Sequence, residues 1–311
     1  MARLSRAICL AVLPMLLQGC VSSVDRLNSE ISRSVVTLER QQDADSLAAA
    51  ALISSNDIFG KNQKNQKDQR HGASLIAQAV ATAPDRADLA WLQASICQQI
   101  PSCDVRPFEV RVRTLDPSNG VGWLGELARS WAASDEAGTN KALQAIAQSD
   151  RVDIYYTRLI ARLTPRVAEA GSITLDEASV AVIGALAMES IPAYTSVSHA
   201  CKGERLQQPD VVTFCRGVAK AFENGDSWVS EMVGVAIAKR VWPENSPEWQ
   251  AAVDARRRFD YQSKLWTELP IKTATESMQD HIYLCSQYRR EQDVLRAELI
   301  AAGKNPDPPM P

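Results

Sequence analysis

A short pattern recurs along the first half of the chain at a spacing of about 33 residues. Pro84 and Trp91 are followed, 33 and 32 residues later, by Pro117 and Trp123. Two such steps lead to a third copy, in which the same or similar side chains return at an offset of 65 residues. Asp85, Arg86, Asp88, Leu89 and Trp91 correspond to Asp150, Arg151, Asp153, Ile154 and Tyr156. Internal repetition of this period is typical of proteins built from stacked structural units.

Each unit combines a helix start, an aromatic side chain and a second helix. A Pro or Asp ends the preceding helix and begins the next one, and second helices are predicted over residues 105–114 and 137–149. A helix pair of this length cannot bury its apolar face alone, so neighbouring units are expected to stack. We predict that Trp91, Trp123 and Tyr156 pack between helices. The alternative is that they line a concave binding face.

The period and the placement of the aromatic residues resemble tetratricopeptide repeats. The resemblance covers roughly residues 45–165 and is degenerate, because Leu127, Thr139 and Ile146 stand where the family has small residues. It implies an all-α fold of stacked helix hairpins, an α-solenoid, over residues 43–165. Unrelated helical hairpins whose spacing coincides are the alternative.

The second half of the chain continues the helical pattern without the repeat. Thr174 and Glu177 have the spacing of a capping box in front of an apolar helix, and Asp226 can cap a later helix. No stretch alternates apolar and polar residues over a useful length. We therefore predict a helical C-terminal domain over residues 166–303 and a disordered tail over residues 304–311.

Proline and glycine set two expected helix ends in this half. Pro192 is predicted to end the helix that follows Thr174, since proline cannot donate the helical hydrogen bond. The last helix is predicted over residues 277–302, with Gly303 as its C-terminal stop.

The start of the chain is a predicted export signal. Arg3 and Arg6 precede an apolar run over residues 7–17, which is too short for a bilayer core that needs about 20 residues. A basic start followed by about 7–15 apolar residues is typical of a secretory signal. We therefore predict a signal peptide over residues 1–19; a short buried helix is the alternative.

Residues 17–20, Leu-Gln-Gly-Cys, resemble the lipobox of bacterial lipoproteins, although Gln18 is a less usual residue at its position. The resemblance implies cleavage before Cys20, diacylglycerol on its thiol and acylation of the new amino terminus. Two or more acyl chains give stable membrane anchoring. Residues 20–42 would then be a tether or an N-terminal helix. In this family, Val21 in place of Asp favours the outer membrane, facing the periplasm.

Seven cysteines are present, and five are left once the signal is removed and the lipid is attached. An exported chain meets an oxidising compartment in which disulfides form. Local pairing predicts the bonds Cys97–Cys103 and Cys201–Cys215, which leaves Cys285 free or paired outside the chain. Five buried, reduced thiols are the alternative.

No motif with known chemistry stands out in the sequence. There is no nucleophile elbow, zinc-protease motif or phosphate-binding glycine loop. His199 could pair with Cys201, but the predicted disulfide competes for that thiol. His281 and Cys285 lie four residues apart, on one helix face, and could be half of a metal site, although no second half is visible. The formal net charge of −3 disfavours general nucleic-acid binding, which needs a basic surface.

The sequence thus predicts a lipid-anchored cell-envelope protein that binds another protein or a peptide, with neither catalysis nor a cofactor. Helical repeats offer extended concave surfaces suited to that role. The alternative is an envelope enzyme, such as a cell-wall hydrolase, with its site in the C-terminal helical half. That alternative requires clustered acidic or histidine groups with perturbed pKa values in a cleft.

Overall fold

A computed structural model describes residues 26–56, 66–269 and 274–309. The predicted signal peptide and Cys20 lie outside these residues. Within them the chain is all-α, as predicted, and the described part contains no strand beyond one isolated bridge between Asn119 and Arg151.

The helices are numbered α1 to α14 in chain order. Helix α1 covers residues 26–41 of the described chain. The others are α2 (Ala44–Ser55), α3 (Gln66–Thr82), α4 (Ala87–Gln98), α5 (Arg106–Leu115), α6 (Leu124–Ala132), α7 (Glu136–Ala147), α8 (Tyr156–Ala170), α9 (Leu175–Ala200), α10 (Pro209–Glu223), α11 (Trp228–Val241), α12 (Pro247–Thr267), α13 (Ala274–Gln287) and α14 (Glu291–Ala301).

Helices that are neighbours in sequence pack against one another over much of the fold. Helix α2 contacts α3, α3 contacts α4, α4 contacts α5, and α6 contacts α7. This packing is compatible with the predicted stack of hairpins, but it does not establish a solenoid. Helices α8 and α9 both contact α2, and α9 also contacts α6 and α13. One continuous apolar core therefore extends from Ile31 in α1 to Val294 in α14.

The repeated Arg-x-Asp pattern first occurs at the start of α4. Its arginine pairs with a nearby and a distant aspartate, an arrangement that we call a clamp. Arg86 donates from Nε to Asp88 Oδ1 at 2.8 Å and from Nη1 to Asp45 Oδ1 at 2.7 Å. Asp45 lies in the first turn of α2. Arg86 therefore ties the start of α4 to the start of α2.

The Arg-x-Asp pattern recurs 65 residues later, as Arg151 and Asp153, with the same local geometry. Arg151 donates from Nε to Asp153 Oδ2 at 2.7 Å and from Nη2 to Asp116 Oδ1 at 2.8 Å. Asp116 is the C-cap of α5 and also accepts a hydrogen bond from the Tyr155 hydroxyl at 3.0 Å. The recurrence seen in the sequence is thus a recurrence of structure, an arginine held between a nearby and a distant aspartate.

Asp226 caps a different helix from the one predicted. Helix α11 is capped by Ser227, whose side chain accepts the N–H of Ser230. The carboxylate of Asp226 instead accepts the N–H groups of Ile154 at 2.9 Å and Tyr156 at 2.7 Å, at the start of α8. Burial is the main cause that raises the pKa of Asp226.

Three other predicted boundaries can be compared with the structure. The capping box of Thr174 and Glu177 is confirmed at the start of α9. Pro192 does not end that helix, which continues to Ala200. The single helix predicted over residues 277–302 is two helices, α13 and α14, separated by residues 288–290.

The C-terminal segment also differs from the disorder predicted for it. Residues 304–309 lie against α12 and α14, where Gln262 Nε2 donates to the Pro306 carbonyl at 3.1 Å. Arg296 pairs with Asp307 at 2.6 Å. Pro306 is buried, so this segment covers part of the helical surface.

Helix α9 is, among the described helices, the one long and apolar enough to cross a membrane by length and composition. Half of its most apolar window is buried inside the protein. It contacts α2, α6 and α8, which is the packing of a core helix. Length and composition alone do not separate such a helix from a membrane span.

The Arg151 clamp should stabilise the fold more than an exposed ion pair does. The Arg151 side chain is 25% exposed and Asp153 is buried, so Arg151→Gln leaves the buried carboxylate with Arg289 as its remaining arginine partner. We expect a loss of about 1–2 kcal/mol in the free energy of unfolding, less than for a buried carboxylate left with no partner. Arg256→Gln, at a pair in which both side chains are more than half exposed, should cost at most about 0.5 kcal/mol. Urea unfolding followed by circular dichroism measures both; equal losses would contradict the clamp.

Candidate functional site

An open apolar pocket lies among helices α8, α9 and α11 to α14. Its volume is about 590 Å³, within the range of roughly 300–1,000 Å³ that is typical of ligand sites. Each of these six helices contributes to the wall; among the lining residues are Tyr156, Ile183, Trp228, Trp266, Leu284 and Leu295. Residues 270–273, between α12 and α13, lie outside the described chain.

Two large aromatic side chains stand at the mouth of this pocket and face solvent. Trp266 on α12 is 54% exposed and Tyr283 on α13 is 64% exposed. Aromatic side chains of this kind offer apolar contact area together with a polar tip, and they are enriched at binding interfaces. The pocket is therefore an apolar cleft with an aromatic rim.

At one wall of the pocket, an imidazole contacts a carboxylate on one side and a thiol on the other. His281 Nδ1 lies 2.7 Å from Glu298 Oε1, and His281 Nε2 lies 3.5 Å from Cys285 Sγ. His281 and Cys285 share one face of α13, as predicted, and Glu298 comes from α14. In the described residues no group of three or more His, Cys, Asp or Glu side chains is arranged to hold a metal ion.

The electrostatics of this wall favour a charged imidazole. Burial lowers the pKa of His281, but the hydrogen bonds to Cys285 and Glu298, together with their charges, outweigh burial and raise it to about 10. Glu291 lies on the same face of α14 as Glu298 and accepts the N–H of Trp228 at 2.7 Å. Burial raises the pKa of Glu291 above its ordinary value.

Sequence reasoning missed the two carboxylates of α14 that line the pocket. Glu291 and Glu298 are seven residues apart, which places them on one face two helical turns apart. That spacing was visible in the sequence. Their approach to His281 was not, because it depends on the turn at residues 288–290 that folds α14 back onto α13.

A second cavity, the polar groove, lies on the other side of this wall. Its volume is about 650 Å³ and its lining is rich in arginine and aspartate; Asp116, Arg151, Asp153, Arg158, Arg162 and Arg289 contribute to it. Cys285 lines the polar groove, whereas its neighbour His281 lines the apolar pocket. The thiol and the imidazole therefore form part of the partition between the two cavities.

The three repeat aromatics do not form a common binding face. The Trp91 ring is buried with its centroid 6.5 Å from that of Tyr155. The Trp123 ring is covered by the Arg113 guanidinium, 4.0 Å from its centroid. Of the three, Tyr156 lines the apolar pocket, so the repeat brings one of its aromatics to the site.

Both predicted disulfides are present. Cys97 and Cys103 have Cα atoms 5.5 Å apart, and Cys201 and Cys215 have Cα atoms 5.7 Å apart. Cys285 is free and buried. Neither disulfide lines the apolar pocket, so both contribute to the stability of the fold. A 15-residue loop such as the second contributes about 3 kcal/mol in the loop-entropy model.

The His199 candidate does not form a thiol–base pair. Cys201 is consumed by its disulfide, and the His199 ring stacks on Trp131 with centroids 6.2 Å apart.

The charged state of His281 should make stability depend on pH. Because the pKa of His281 in the folded chain, about 10, exceeds its unfolded value of about 6.5, its stabilising effect is complete below pH 6.5. The effect is lost progressively as the pH rises through 10. The difference in the free energy of unfolding between the wild type and His281→Gln should therefore shrink from pH 6.5 to pH 10 in urea titrations. A difference that stays constant over this range would contradict the charged imidazole.

Comparisons with known proteins give no family for this chain. No family model, curated protein or solved structure matches it. The function is therefore assigned from the two cavities and the groups between them.

Proposed function

We propose that the protein is a lipid-anchored cell-envelope protein that binds an apolar segment of another envelope protein or peptide, as an adaptor and without catalysis. The proposed binding role is supported by the open apolar pocket with its exposed aromatic rim of Trp266 and Tyr283. The anchoring part is supported by the lipobox-like residues 17–20. Lipid on Cys20 would hold the pocket at a membrane surface, which we propose to be the periplasmic face of the outer membrane.

The charge of the pocket indicates what should flank the apolar segment. Among the described residues, its charged lining consists of three acidic residues and one histidine, without lysine or arginine; these are Asp280, His281, Glu291 and Glu298. A lining of this sign favours a partner with a basic residue beside its apolar side chain, since complementary charge guides association and register. The apolar side chain would enter the pocket, and the basic residue would stay at the acidic side of its mouth.

The aromatic rim should be needed for partner binding. We expect Trp266→Ala and Tyr283→Ala each to reduce the yield of partner by about tenfold in photo-crosslinking in cells followed by mass spectrometry, because a rim aromatic contributes roughly 1–2 kcal/mol to an interface. Tyr288→Ala is the matched control, since Tyr288 is also an exposed aromatic but lines the polar groove.

The Cys20→Ala form separates anchoring from binding. This variant should be absent from the membrane fraction, while the purified protein should still bind the partner's apolar segment in solution. A partner whose yield is unchanged by both rim substitutions would contradict the pocket as the binding site. Retention of Cys20→Ala in the membrane fraction would contradict the lipid anchor.

An envelope enzyme is the second candidate, and one observation favours it. His281, Glu291 and Glu298 are clustered in a cleft of the C-terminal half, and the pKa values of His281 and Glu291 are raised. This is the arrangement that a hydrolase would require.

Release of soluble fragments from purified cell-wall sacculi tests this candidate directly. Release by the wild type that is lost in Glu298→Gln but kept in Glu169→Gln, at an exposed position, would favour the enzyme over the adaptor. Absence of release by the wild type would remove the cell-wall hydrolase.

A further inference from the structure

The partition between the two cavities contains a thiol, an imidazole and a carboxylate in contact with one another. Cys285 is the free cysteine of the described chain. Its thiol contacts His281 Nε2 at 3.5 Å, and the opposite ring nitrogen, Nδ1, contacts Glu298 at 2.7 Å. A nucleophile, a base and a carboxylate that orients the base are the three parts of an activated nucleophile.

We propose that Cys285 is a nucleophilic thiol that undergoes exchange with small disulfides entering through the polar groove, with His281 as its proton partner and Glu298 as the residue that positions His281.

The surroundings of Cys285 suit this chemistry. The attacking species in disulfide exchange is the thiolate, and an adjacent imidazolium favours the thiolate. His281 is held as imidazolium by Glu298 on its far side. Glu298 contacts Nδ1, so the ring is oriented with Nε2 toward the sulfur.

The exchange balances with a single co-reactant, the incoming disulfide. In the resting pair His281 Nε2 already carries the proton of the Cys285 thiol, and Sγ attacks one sulfur of the incoming disulfide as the thiolate. The S–S bond of the disulfide breaks as a new S–S bond to Cys285 forms. The displaced half leaves as a thiolate, takes the proton from His281 and departs as a thiol. The incoming disulfide is reduced, and Cys285 is oxidised.

Access selects small disulfides over proteins. The Cys285 residue is 3% exposed, yet it lines a groove of about 650 Å³ that is open to solvent. A cavity of that size admits a molecule such as oxidised glutathione, whereas a folded protein cannot bring its own disulfide to so deep a sulfur. An external protein partner would need the helix pair α13 and α14 to open first.

The direct test is to incubate the mature, full-length protein in detergent, with both disulfides intact, with oxidised glutathione. Intact mass and peptide mapping should find one glutathione per chain, on Cys285, and none in Cys285→Ser. His281→Gln should slow the adduct by at least about tenfold, since the imidazolium that favours the thiolate is lost. His199→Gln, at a histidine stacked on Trp131, is the matched control and should react at the wild-type rate.

A pH profile separates this role from a merely structural one. The rate ratio of wild type to His281→Gln should be large at pH 7 and approach one above about pH 10, where His281 loses its proton. When Glu298→Gln is added to both proteins, the same rate ratio should approach one at a lower pH, because the Glu298 charge that stabilises the imidazolium is gone. The titratable groups that interact with His281 are Cys285 on α13 and Glu291 and Glu298 on α14, and Tyr156 on α8 in turn interacts with Cys285 and Glu291.

Two results would overturn the proposal. The first is that the native protein forms no adduct, although a thiol titration in denaturant finds one free cysteine. The other is an adduct that forms equally fast in His281→Gln and in the wild type. Because Trp266 and Tyr283 line the other cavity, loss of partner binding and loss of thiol exchange can be observed independently.

Discussion

Asp226 is the residue on which the arrangement of the second half depends. Its side chain accepts the N–H of Ile154, just before α8, and that of Tyr156, the first residue of α8. Its main-chain carbonyl accepts the N–H of Glu291, the first residue of α14, and α11 begins two residues after it. One buried residue, through its carboxylate, its carbonyl and its place in the chain, therefore lies where three helices start. Because unpaired buried N–H groups are costly, these helices are held together where they begin.

The site follows from this junction. Thr157 on α8 donates to the carbonyl of Arg289 at 2.8 Å, and Arg289 pairs with Asp153, so the turn between α13 and α14 is attached to the start of α8. The turn reverses the chain and brings Glu298 to His281. The apolar pocket and the polar groove are then the two sides of the helix pair that results. The repeat contributes Asp153 and Tyr156 to this arrangement.

Local signals explain what could be predicted from the sequence. The all-α class, the capping box at Thr174 and the two disulfides depend on residues close in the chain, and each of them is present. Long-range contacts explain the rest. Pro192 lies within a helix that contacts α2, α6 and α8, so tertiary packing outweighs the lost hydrogen bond. Asp226 has an N-cap residue type, but it caps a helix some 70 residues earlier.

The shared partition also means that the two cavities cannot be chemically independent. Both Cys285 and Glu298 raise the pKa of His281 against the effect of burial. A disulfide adduct on Cys285 would remove the thiol from that pair and leave Glu298 as the main support of the imidazolium. The charge of the pocket wall would then depend on the state of the groove. Without the contribution of Cys285 the pKa of His281 would fall, so the imidazolium would lose its proton at a lower pH. Where it does, the otherwise acidic lining would prefer a basic partner more strongly.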